Sequence, residues 1–101
     1  MNYKSQQSGD TVEILLSGRF TFGDHTAFRK LIEEMRDSGV EKQVLDLSEI
    51  DFIDSAGLGM LLLARDEGEK SRSSITLRGA KGQVKRMLEV ARFDTLFKLE
   101  N

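Results

Sequence analysis

Two hydrophobic periods alternate along this chain. Residues 11–17 set Val12, Ile14 and Leu16 against Thr11, Glu13 and Leu15, the two-residue period of a half-buried strand. Residues 3–7 form a weaker strand, joined to the first by the turn Ser8-Gly9-Asp10. Residues 18–23 read as a loop that packs through Phe20 and Phe22. Between Asp24 and Ser38 the period changes: Ala27, Phe28, Leu31, Ile32 and Met35 recur at helical spacing and Gly39 ends the run. Residues 40–47, with Val40, Val44, Leu45 and Leu47, predict a strand in the middle of a sheet. An acidic connector, residues 48–54, leads to a second helix from Ala56 to about Lys70 that is expected to bury Leu58, Leu61, Leu62 and Leu63. Residues 74–78 predict a short strand. Gly79-Ala80-Lys81-Gly82 then turns into a third helix with Val84, Met87, Leu88 and Ala91 on one face. Residues 93–99 are apolar and short enough for a turn and an edge strand.

The predicted order is β-β-α-β-α-β-α with a short C-terminal strand. Strand–helix alternation of this kind specifies an α/β fold, a mixed sheet joined by right-handed crossovers with helices packed on it. The 101 residues show no internal repeat and no linker long enough to divide them, so one domain spanning residues 1–101 is expected.

Composition narrows the function classes. The formal net charge is −2 with both signs interspersed, which gives no electrostatic reason for direct nucleic-acid binding or membrane insertion. No cysteine is present, so thiolate catalysis, disulfides and cysteine metal sites are excluded. No apolar run approaches spanning length and the first residues carry no signal-peptide core; a cytoplasmic location is the expectation.

The densest chemistry lies in Asp54-Ser55-Ala56-Gly57-Leu58-Gly59. Ser55 occupies the expected N-cap of the second helix, where its oxygen can accept from the orphan N–H groups of the first turn. A phosphate on that oxygen would face the positive end of the helix dipole. An ordinary cap explains Ser55 alone; its combination with small residues in the first turn and with Asp51 and Asp54 favours a functional site. A serine-hydrolase elbow needs glycine two residues before the nucleophile, and Ile53 stands there. The only imidazole, His25, sits at the start of the first helix with no acid to orient it. Neither a Walker loop nor a Rossmann fingerprint is present, and no ligand cluster for a metal is visible. Residues 79–82 formally match the GxxG clamp of single-strand-binding modules, but a strand precedes them where such a clamp needs a helix; they read as a strand-to-helix turn.

The segment Val44-Leu45-Asp46-Leu47-Ser48-Glu49-Ile50-Asp51-Phe52-Ile53-Asp54-Ser55-Ala56-Gly57-Leu58-Gly59 closely resembles the signature of STAS domains, in particular the bacterial anti-sigma-factor antagonists, and the likeness extends over nearly the whole chain. The resemblance implies a binding module that catalyses nothing and carries no cofactor. It implies phosphorylation of Ser55 by a partner serine kinase, often the anti-sigma factor itself, and reversal by a metal-dependent serine phosphatase. Unphosphorylated, such a domain holds the anti-sigma factor and releases the sigma factor. The implied docking surface takes in Phe22 and Asp24 in the loop Phe20 to Asp24, then Asp54, Ser55, Ala56, Gly57, Leu58 and Gly59, and the exposed edge of the second helix. A regulatory subunit of a membrane transporter or sensory complex, without a phospho-switch, is the alternative on the same fold. Two features depart from the family pattern. The acid usual just after Gly18 and its apolar neighbour is replaced by Thr21, with Asp24 the nearest acid; and the helix usual after the segment matching residues 93–99 is not represented. Oligomeric state is left open by the sequence.

Overall fold

The computed structural model describes residues 1–101. Strands β1 (Asn2–Ser8), β2 (Thr11–Phe20), β3 (Lys42–Ile53), β4 (Ser74–Arg78) and β5 (Lys98–Glu100) form one sheet in the order β1-β2-β3-β4-β5. β1 and β2 make an antiparallel hairpin, and every later neighbour is parallel. Helices α1 (His25–Ser38), α2 (Ser55–Lys70) and α3 (Gly82–Val90) are the three crossovers. Each crossover moves one place in the same direction, so right-handed connection puts all three helices on one side. Burial follows: Val12, Ile14, Leu16, Leu45, Leu47, Ile75 and Leu77 point into the helical layer. The expected α/β architecture and element order are present.

The core joins Phe20 of β2 to Phe28 of α1, with ring centroids 4.8 Å apart. Gln43 is the one buried polar side chain; it occupies an inward position of β3 and its Nε2 donates to the Met35 carbonyl at 3.1 Å, one of the orphan acceptors at a helix C-terminus. Gly39 ends α1 with φ 69°, a left-handed cap that a side chain would disfavour.

The opposite side of the sheet carries no helix. There Arg78 joins three strands, donating to Glu13 at 2.7 Å and to Asp46 at 3.3 Å. Burial pushes the Asp46 carboxyl up, but the Ser48 hydroxyl and N–H together with the Arg78 guanidinium outweigh it, holding Asp46 below the usual carboxylate range. β3 is the middle strand of the sheet, as expected, and on the open face its Val44 and Asp46 are half-buried.

Two segments differ from the sequence reading. β2 continues to Phe20, and a 3-10 turn, Phe22–Asp24, follows, where a loop from residue 18 was expected. The acidic connector is strand: β3 runs to Ile53. Its pairing with β2 slips twice, from Leu15↔Asp46 to Ser17↔Glu49 and from Gly18↔Ile50 to Arg19↔Phe52. Each slip inserts one extra residue in β3, a bulge that resets which side faces inward. Leu47, Ile50 and Ile53 thus point inward at intervals of three, which hides the strand from a search for period two. The C-terminal stretch is the expected turn and edge strand, a 3-10 turn, Phe93–Thr95, followed by the three-residue β5.

Candidate functional site at the start of helix α2

β3 outruns β4, whose pairing stops at Asp46↔Arg78. At its far end Ile53 has no strand neighbour on that side, and the Gln83 amide of α3 takes the place of one. The Ile53 N–H donates to Gln83 Oε1 at 2.9 Å, and Gln83 Nε2 donates to the Ile53 carbonyl at 2.8 Å. On the other side the Asp54 N–H donates to the Phe20 carbonyl at 3.3 Å. The end of β3 is held from both flanks, and this fixes where α2 begins.

Asp54, not Ser55, is the N-cap. Its backbone is extended and its Oδ1 accepts from the Gly57 N–H at 2.8 Å; its Oδ2 accepts from the Phe22 N–H at 3.3 Å. One carboxylate therefore caps α2 and ties it to the turn before α1. Ser55 is the first helical residue, exposed and free of the capping duty assigned to it from sequence. Asp54→Ala is expected to cost about 1–2 kcal/mol, the range for a lost cap, whereas Ser55→Ala should fall within about 0.5 kcal/mol of the parent chain. Urea denaturation of the two variants side by side checks this; equal losses would return the cap to Ser55.

Gly57 is buried, and a Cβ there would lie 2.6 Å from both Ile53 Cγ1 and the Phe20 carbonyl oxygen. Close packing of α2 on β2 and β3 explains this glycine fully. Gly59 is different: it is exposed, with nothing within 4 Å of the Cβ position. Ala56 and Leu58 are half-buried. Phe22 is 72% exposed beside the Asp54 carboxylate it donates to.

Asp24 is turned away from this group. Its Oδ2 accepts from the Thr21 N–H at 2.9 Å and its Oδ1 from the Met1 ammonium at 2.9 Å. Burial pushes its carboxyl up, and those two donors more than offset that, leaving it below the ordinary value. Its present role is to hold the turn that presents Phe22.

α2 buries Gly57, Met60, Leu61, Ala64 and Gly68. Leu62 and Leu63, expected in the core, are exposed at 36% and 43%. At 100° per residue they fall on the side of α2 that carries Ser55 and Gly59. The result is a polar hydroxyl at the head of a small-then-apolar stripe, with Phe22 at its edge. Sequence reasoning put an exposed edge of this helix in the docking surface but assigned Leu62 and Leu63 to the core, and it missed Gln83. The signal for the stripe was present: Leu58 to Leu63 is apolar on every side of the helix apart from Gly59, more than one core-facing stripe can use. Arg19 adds a cation over the Phe52 ring, 4.4 Å from its centroid, on the neighbouring strand ends.

Comparison with known proteins places the arrangement. A family model described as "Mlab, STAS domain" matches residues 4–100. A STAS-domain containing protein of Pseudomonas aeruginosa is 35% identical over 91 residues, 90% of this chain and 89% of that protein. The "Putative anti-sigma factor antagonist BtrV" of Bordetella bronchiseptica is 32% identical over 65 residues, covering 64% of this chain and 56% of the relative. Among solved structures, an anti-sigma factor antagonist from Mycobacterium paratuberculosis superposes with a TM-score of 0.87 over 98% of this chain and 84% of its own, at 18% identity, a likeness of fold. With the match of the family model over nearly all its residues and a relative in Pseudomonas aligned along almost its full length, the chain belongs to the STAS-domain family.

Proposed function

We propose that this STAS domain is an anti-sigma-factor antagonist, a binding module switched by phosphorylation of Ser55. The observation that carries the reading is the exposed Ser55 hydroxyl, relieved of capping by Asp54, at the head of the exposed stripe Gly59, Leu62 and Leu63. The hydroxyl is open to a modifying enzyme, and its modification leaves the Asp54 cap in place. The name carried by the Bordetella relative supports the same role. In this reading the unmodified surface, completed by Phe22, holds an anti-sigma factor, which frees a sigma factor. A serine kinase, the anti-sigma factor or its associate, adds the phosphate, and a metal-dependent phosphatase removes it.

A phosphoserine brings about −1.5 to −2 charges at neutral pH. The first-turn N–H groups and helix dipole of α2 stabilise them in the free domain. A docked apolar partner would have to desolvate both the phosphate and the neighbouring Asp54 carboxylate. The fold survives and the interface fails. The test is intact mass of the chain purified from its own host, with peptide mapping across residues 51–65. A fraction heavier by one phosphate and mapped to Ser55 is the expected result. An unmodified mass under every growth condition, stress included, would overturn the switch and favour a transporter or sensory-complex subunit in which Ser55 only touches its partner.

A further inference from the structure

We propose that the protein forms a two-fold symmetric dimer in which the β5 strands of two copies pair antiparallel about Leu99, making one continuous sheet. β5 is the last strand of the sheet and its outer edge is uncovered. The Glu100 carbonyl accepts from the Gly79 N–H at 2.9 Å, on the β4 side. Backbone groups alternate direction along a strand, so the N–H and C=O of Leu99 point outward from the sheet, a free donor and acceptor on one residue. Antiparallel pairing about that residue lets each Leu99 N–H donate to the other copy's Leu99 carbonyl.

The occupant is identified by charge. In the register centred on Leu99, Lys98 of each copy stands opposite Glu100 of the other, because the sequence Lys98-Leu99-Glu100 is its own complement when reversed. Both charged side chains are exposed and only loosely paired within the chain, at 3.9 Å. A lone lysine on an edge strand ordinarily discourages pairing; here a second copy supplies its counter-charge twice. The other free edge of the sheet lacks this property. β1 carries Lys4 and no acidic residue, so no register of β1 on itself neutralises its lysine.

The packing next to β5 points the same way. α3 does not fully cover the strand, and a cleft of about 430 Å³ opens between them, floored by Leu77, Ala80, Leu88 and Leu99. Leu99, at the edge of this cleft, is 39% exposed. Pairing about Leu99 sets the two Leu99 side chains beside one another on the helical side, between two copies of α3, and withdraws this apolar surface from water.

The experiment is sedimentation equilibrium of the 101-residue chain over a concentration series, with charge variants and a single-cysteine variant. The parent chain is expected to show a reversible monomer–dimer equilibrium. Lys98→Glu places like charges opposite one another at both symmetric positions and should weaken the dimer at least about tenfold. The double variant Lys98→Glu/Glu100→Lys exchanges the charges and should restore it. The chain has no cysteine, so Leu99→Cys introduces one reporter. Cα atoms of a hydrogen-bonded antiparallel pair lie about 5.5 Å apart, within disulfide reach, so oxidation should give a covalent dimer, whereas Ser5→Cys on β1 should not. A parent chain that stays monomeric up to its solubility limit overturns the proposal and leaves the edge to a strand of another protein. A dimer indifferent to both charge variants overturns it in favour of another surface.

Discussion

Ser55→Asp is expected to fold like the parent chain and to bind the proposed anti-sigma partner about a hundredfold more weakly, a loss of about 2.7 kcal/mol. The folding half follows from position. Ser55 is the exposed first residue of α2 and makes no capping bond, and an acidic side chain in a first turn interacts favourably with the helix dipole, by about 0.3–1 kcal/mol. The binding half follows from neighbours. The new carboxylate stands next to Asp54, whose own oxygens are already committed to the Gly57 and Phe22 N–H groups. Neither of those donors is free to receive it, so a partner covering Ser55, Gly59 and Phe22 must strip water from a second negative charge beside the Asp54 carboxylate. Ser55→Ala should bind as tightly as the unmodified protein. Calorimetric titration of both variants against the partner measures the difference. Equal affinities would remove Ser55 from the interface, whether or not it is phosphorylated.

Much of the fold was legible because local periodicity agreed with burial. The alternation of Val12, Ile14 and Leu16 marks β2, and Phe28, Leu31, Ile32 and Met35 mark α1. The misreadings share a physical origin: they occur where long-range partners decide what the local pattern leaves open. Asp54 and Ser55 are adjacent and both suit an N-cap. The choice falls to Asp54 because Phe20 and Gln83 fix the end of β3 one residue before it. The bulges in β3 arise from its register against β2, and turn a strand into what reads as an acidic connector. In α2, a run of three leucines carries no phase of its own; Gly57, Met60, Leu61, Ala64 and Gly68 occupy the core side and leave Leu62 and Leu63 outside. Residue types singled out Asp54 to Gly59, and the structure leaves Ser55 and Gly59 of that segment exposed, while the division of labour between Asp54 and Ser55 required the fold.

The two glycines at the start of α2 should answer substitution by alanine with opposite signs. Gly59→Ala adds a methyl group to open space on an exposed helical position and should stabilise the domain by about 0.5–1 kcal/mol, the helix preference of alanine over glycine. Gly57→Ala gains the same preference but must place its Cβ 2.6 Å from the Phe20 carbonyl oxygen and from Ile53 Cγ1. Ile53 could turn its side chain; the carbonyl cannot move independently, because it accepts the Asp54 N–H that holds β2 to the start of α2. Relief must come from lifting the first turn of α2 off the sheet, which strains the Asp54 cap as well. Overpacking of this kind costs about 1–3 kcal/mol, and with the cap disturbed the upper part of that range is expected after the helix gain is subtracted. Urea midpoints of the two variants should therefore move in opposite directions, with the larger shift in Gly57→Ala. The binding consequences separate as well: displacing the turn moves Ser55 and Phe22 relative to one another, so Gly57→Ala should weaken partner binding even under conditions where it is fully folded. A Gly57→Ala variant as stable as the parent would mean that α2 can slide on β2 and β3, and that the spacing of Ser55 and Phe22 is not fixed by this contact.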